Sequence, residues 1–90
     1  MPTRAQRIHA TLSLHFAPER LEVMDESDQH AGHGGARPEG ETHYAVRMVS
    51  AAFTGMNRVA RQRAVQEKLA GEFGSGLHAL SLALRAPGEA

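Results

Sequence analysis

Six histidines and no cysteine set the side-chain chemistry open to this 90-residue chain. Three of the six, His30, His33 and His43, fall in one Gly-rich stretch, residues 28–43, DQHAGHGGARPEGETH. A fourth, His78, sits at the start of the apolar run LHALSLAL. Imidazole binds metals and carries protons near neutral pH. His30 and His33 are three residues apart, close enough to reach one metal ion, and Gly32, Gly34 and Gly35 beside them let the backbone pass close to a bulky partner. The same stretch is equally a polar loop with incidental histidines, and spacing alone does not decide between the two. His43 follows the loop into the next strand, where a structural role is favoured over ligation. His78, taken by itself, is a strand-end histidine. A closed zinc site needs four ligands, usually including cysteine, so two or three loop histidines would make a poor one.

Other chemistries are thinly represented. The lack of cysteine excludes disulfides, thiolate nucleophiles and all-cysteine metal sites. There is no Gly-x-Ser-x-Gly elbow and no Gly-rich phosphate loop. The acids Glu19, Glu22, Asp25, Glu26 and Asp28 suit strand edges and loops better than a general acid–base pair. An enzyme is not expected. Ten basic residues balance ten acidic ones, so no global field draws the chain to nucleic acid or an anionic membrane. A local basic segment remains at Arg58, Arg61, Arg63 and Lys68. It is either a solvated helix face or a set of contacts to DNA backbone or a partner protein. No stretch has the length and apolarity of a signal peptide or a membrane span. A cytoplasmic protein is the expectation.

The elements that must carry these residues follow from periodicity. Ninety residues allow one domain with a modest core, mostly aliphatic because only four aromatic residues are present. The spacing of Ala5, Ile8, Leu12 and Phe16 predicts a helix over 3–16 capped by Thr3 and ended by Pro18. RLEVMDE (20–26) and THYAVRMVS (42–50) alternate as half-buried strands, the second with Tyr44, Val46 and Met48 on one face. They should pair antiparallel across the Gly-rich loop. Residues 57–73 predict a helix capped by Asn57, with Val59, Val65, Leu69 and Phe73 inward and a turn-like FTGMN before it where the segment could break in two. Gly71, Gly74 and Gly76 end it, and the G-x-x-G of GEFG (71–74) is a helix stop, not a phosphate clamp. LHALSLAL (77–84) is a third strand, parallel to the second because a helical crossover joins them. The order helix, strand, strand, helix (or two), strand predicts an α+β fold. It is a three-stranded mixed sheet with helices on one face, the ordered core running over 3–85 and a tail over 86–90.

In that order the segments LEVMDES (21–27), GETHY (40–44), RMVSAAFTGMNRVARQR (47–63) and GLHALSLAL (76–84) resemble the BolA family. The resemblance covers roughly residues 5–87 and implies a class II KH-like fold without the KH glycine loop. It further implies pairing with a monothiol glutaredoxin around a bridging [2Fe–2S] cluster, in iron–sulfur delivery or iron regulation. Some bacterial members are also described as DNA-binding regulators of morphology and stress genes. The resemblance assigns one cluster ligand to the histidine of the HAL motif, His78 here, and the other to the loop between the first two strands. His30 and His33 both qualify for the second position, with His43 the next candidate. The family's usual RHR appears here as Arg61-Gln62-Arg63, which puts in doubt any role of that middle histidine. Iron–sulfur clusters normally take four thiolates, but Rieske centres have two histidines on one iron. This chain can offer only the histidine half, so the thiolates must come from elsewhere; the resemblance implies the glutaredoxin's cysteine and a glutathione molecule. The isolated chain is expected to be monomeric and to hold no metal firmly.

Overall fold

The computed structural model describes residues 2–26 and 43–89. Helix α1 (Arg4–Phe16) is started by a reciprocal cap. Thr3 Oγ1 accepts from the Gln6 N–H at 3.2 Å, and the Thr3 N–H donates to Gln6 Oε1 at 2.8 Å. Two of the amide groups a helix start leaves unpaired are thereby satisfied. The helix stops at Ala17, which takes a left-handed φ of 43° just before Pro18. Ile8 and Leu12 are fully buried, with Ala5 and Phe16 packed beside them, so the expected stripe is the observed one.

Strands β1 (Arg20–Asp25), β2 (His43–Val49) and β3 (Ala79–Arg85) form one sheet in the order β1-β2-β3. β1 pairs antiparallel with β2, and β2 pairs parallel with β3. Successive side chains of a strand point to opposite faces. Tyr44, Val46, Met48 and Leu84 therefore face the helices and are buried, while Glu22, Arg47 and Ser81 lie on the open face. The mixed sheet covered on one face is the α+β architecture anticipated above.

The crossover from β2 to β3 runs through a 3-10 turn (Ala51–Phe53), helix α2 (Arg58–Lys68) and helix α3 (Ala70–Gly74). Asn57 caps α2 as expected, accepting from the Ala60 N–H at 2.8 Å. Phe53 is fully buried, with its ring centroid 5.3 Å from that of Phe16. Ser50, also fully buried, accepts from the Ala52 N–H and donates to the Phe16 carbonyl, joining the end of β2 to the end of α1.

Four expectations are corrected. Val59 and Phe73 do not face inward; they are 57% and 39% exposed. The buried stripe of this region is Arg61, Val65 and Leu69. Val59 precedes Arg61 by two residues, about 200° around a helix, and so faces away. The single helix of 57–73 is broken at Leu69, and the break shifts the register that would have turned Phe73 inward. Finally, residues 86–89 are not a loose tail. Ala86 is buried, and Glu89 returns to ion-pair with Arg61 at 2.6 Å. The third strand also begins two residues later than expected, leaving Leu77 in the core just before it.

Two outward carbonyls on the edge of β3 are engaged from α2. Gln62 Nε2 donates to the Leu82 carbonyl and Arg61 Nη1 to the Leu84 carbonyl, both at 3.3 Å. Engaging edge carbonyls in this way disfavours pairing with a foreign strand. Gln62, the departure from RHR, thus has a structural task here. The core reading predicts that Phe53→Ala lowers unfolding free energy by about 3–5 kcal/mol, whereas Val59→Ala changes it by less than about 0.5 kcal/mol. Urea denaturation of both variants checks this.

Candidate functional site

The parallel register of β2 and β3 sets His43 directly opposite Ala79, the residue after His78. The two imidazoles consequently meet, with ring centroids 5.5 Å apart and planes inclined at 45°. His43 is half-buried and His78 exposed. On the far side of His43 the Glu26 N–H donates to the His43 carbonyl at 2.8 Å. Glu26 and His43, the described residues on either side of 27–42, are therefore fixed to each other beside His78. His30 and His33 lie in that stretch, outside the described residues. His9 and His15 are exposed on α1.

What holds His78 in place is a clamp that sequence reasoning missed. Arg4, only 7% exposed, donates from Nη1 to Glu72 Oε1 (2.7 Å), the Glu72 carbonyl (3.0 Å) and Ser75 Oγ (2.9 Å), and from Nη2 to the Ser75 carbonyl (3.1 Å). Arg7 forks onto the same carboxylate through Nε and Nη2, each at 3.0 Å. The clamp fixes the turn between α3 and β3, in which Gly76 takes φ 127°, a value that favours glycine. The Leu77 N–H then donates to the Glu72 carbonyl at 2.9 Å, Leu77 is buried, and His78 is left pointing outward between Leu77 and β3. The partners of Arg4 are some seventy residues away in sequence, so no local pattern could have announced them. The Arg7 hydrogen bonds, with the charges of Arg7 and Arg4 against the desolvation of burial, hold the Glu72 carboxyl below the usual carboxylate range.

The basic segment is split by the fold. Arg58, Arg63 and Lys68 are exposed, whereas Arg61 is buried. Arg61 Nε donates to the Met56 carbonyl, its guanidinium lies over the Phe53 ring at 5.9 Å, and its two terminal nitrogens donate to Glu89. Arg61 therefore does not share a solvent face with the other three, which corrects their reading as one patch. Among the described residues no helix is long and apolar enough to cross a membrane.

A family model, BolA-like protein, matches residues 12–89. The chain belongs to the BolA family. It is 56% identical over 75 residues, 82% of this chain and 81% of the relative, to an uncharacterized protein in the cobS 5′ region of Sinorhizobium sp. It is 41% identical over 75 residues to the DNA-binding transcriptional regulator BolA of Vibrio cholerae, covering 83% of this chain and 67% of that one. Among solved structures, the BolA domain of SufE1 from Arabidopsis thaliana superposes with a TM-score of 0.88 at 43% identity, over 100% of this chain and 99% of that domain. The chain spans 24% of the SufE-like protein 1 and 55% of the BOLA1 protein of that plant. The BolA fold anticipated from the segments is thus the observed fold.

Two outcomes follow from the clamp. Arg4→Ala leaves Glu72 half-paired and should cost about 2–4 kcal/mol of stability in urea denaturation. Because the Glu72 pKa is lowered on folding, its contribution is complete above the unfolded value of about 4.3. That contribution disappears as pH falls through the lower, folded value. Thermal denaturation of Glu72→Gln against pH should lack this acid limb, and an unchanged limb would remove Glu72 from the account.

Proposed function

We propose that this BolA-family chain is an adaptor that pairs with a monothiol glutaredoxin. In this reading it lends histidines to a shared [2Fe–2S] cluster, in iron–sulfur delivery or iron regulation. The observation that carries the reading is the meeting of His43 and His78 where the histidine-bearing loop rejoins the sheet. A metal about 2 Å from one nitrogen of each of two imidazoles would hold their centroids about 5 Å apart, near the 5.5 Å found. Among the described residues no group of three His, Cys, Asp or Glu side chains is placed to hold a metal ion, and the chain has no cysteine. A nitrogen half-set without sulfur suits a site completed by another molecule, here the glutaredoxin's cysteine and a glutathione.

Each part of the chain then has a task. His78 is one ligand, presented by the Arg4 clamp. The second comes from the loop side, where the adjacency of His43 supports weighing it alongside His30 and His33. The Glu26–His43 hydrogen bond anchors both loop ends at that site. The cluster, when bound, supplies iron and sulfide as cargo or as an iron-responsive group.

A second reading, a DNA-binding regulator, draws on the name of the Vibrio relative and on exposed Arg58, Arg63 and Lys68. With Arg61 engaged by Glu89, it rests on three cations. Phosphate contacts make such binding fall steeply with salt, and Arg58→Gln with Arg63→Gln should abolish it while leaving cluster assembly intact.

The adaptor reading is tested by mixing the chain with a monothiol glutaredoxin, glutathione, iron and sulfide and recording visible absorption and circular dichroism. His78→Ala should lose the spectrum of the mixed complex while keeping the fold, since the side chain is exposed. Single alanine variants at His30, His33 and His43 should then identify the second ligand, one changing the spectrum and two leaving it. A wild-type spectrum from His78→Ala would refute the reading.

A further inference from the structure

A cavity of about 440 Å³ lies between α2 and the edge of β3, at the opposite end of the sheet from His43 and His78. Arg58, Arg61, Arg85 and Glu89 line it together with Met56 and Gln62. Arg61 is pre-set in its wall. The Met56 and Leu84 carbonyls accept from its inner nitrogens at 3.0 and 3.3 Å, and Phe53 supports its plane. The outer edge of the fork is filled from within the chain. Glu89 Oε1 and Oε2 accept from it at 2.6 and 2.7 Å, and Oε1 also accepts from the Ala86 N–H at 2.9 Å. Such a set of donors is built for an oxyanion.

The site is not neutral when Glu89 occupies it. Three guanidinium groups face one carboxylate, so two positive charges remain in the wall, on Arg58 and Arg85. Both residues are exposed and neither forms an ion pair among the described residues; Arg85 Nη1 donates to the Leu84 carbonyl at 3.4 Å, and its charge also acts on Glu89. The volume falls in the range of small-ligand sites, roughly 300–1,000 Å³. We propose that this cavity binds a terminal phosphate or diphosphate group of a small molecule through Arg58 and Arg85, with Glu89 as the internal anion that competes for Arg61. The charge favours this class: a terminal phosphate carries close to two negative charges at neutral pH, whereas a nucleic-acid diester carries one per phosphate. Arginine forks match phosphate geometry. Glu89 competes for the fork through both of its carboxylate oxygens and the Ala86 N–H, and the Arg61 hydrogen bonds, with that N–H, lower its carboxyl to about 2. Replacing Glu89 should therefore expose the full site.

The experiment is a titration of the ¹⁵N-labelled chain with inorganic pyrophosphate, followed by amide shifts of residues 58–62 and 83–89. Parallel titrations use succinate and a short DNA duplex. Saturable shifts with pyrophosphate are expected. They should weaken about tenfold, the loss of one charge-assisted contact, in Arg58→Gln and in Arg85→Gln, both surface changes that spare the fold. They should strengthen by a similar factor in Glu89→Gln. Saturation by succinate but not pyrophosphate, a response to the duplex alone, or no saturable shift in both wild type and Glu89→Gln would each overturn the proposal. So would pyrophosphate binding that ignores both arginine changes.

Discussion

Parallel strands cannot be joined by a tight turn, so the chain that leaves β2 at Val49 has to cross one face of the sheet before β3 can begin at Ala79. The rest of the molecule is organised by that crossover. It brings the 3-10 turn, α2 and α3 over the sheet and, with α1, covers Tyr44, Val46, Met48 and Leu84 on a single face. It also brings the start of β3 beside the start of β2, so His78 arrives next to His43 although the two are distant in sequence. The candidate site is thus a consequence of strand direction. An antiparallel β3 would have carried His78 to the other end of the sheet.

Two buried arginines lock the crossover at its two ends. Arg61 fastens α2 to the edge of β3 and to the segment that follows it, and Arg4 fastens α3 and its turn to α1. A buried arginine is stabilising only while its hydrogen bonds are complete, because an unpaired buried charge is costly. Both satisfy this condition through carbonyl oxygens as well as a carboxylate. Among the described residues no buried side-chain polar atom is left without a partner. The polar interior therefore fixes geometry at the places where it matters, the turn that presents His78 and the edge that faces the cavity.

Much of this was legible in the residues. The apolar periods of α1, β1 and β2, the caps Thr3 and Asn57, and the length of the crossover were enough for the α+β order and the strand directions. The linked segments around GETHY and GLHALSLAL were enough for the family. Local periodicity failed where the chain changes direction without changing composition. The apolar spacing of Val65, Leu69 and Phe73 continues smoothly across the break at Leu69, so nothing local marks Phe73 as exposed. Arg61 looked like its neighbours Arg58 and Arg63 because burial by Phe53, Leu84 and Glu89 is a tertiary fact. The loop candidates His30 and His33 lie outside the described residues, while His43, whose place at the entry to β2 favours a structural role, is the histidine found beside His78.

The central claim is that this chain's own imidazole nitrogen ligates iron in a cluster completed by thiolates from another molecule. Pulsed electron paramagnetic resonance of the reduced mixed complex, prepared with this chain selectively ¹⁵N-labelled at histidine, tests it most directly. The account predicts strong ¹⁵N couplings of directly bound nitrogen, lost in His78→Ala. A cluster whose only nitrogen couplings are the weak ones of backbone amides hydrogen-bonded to sulfur would contradict it.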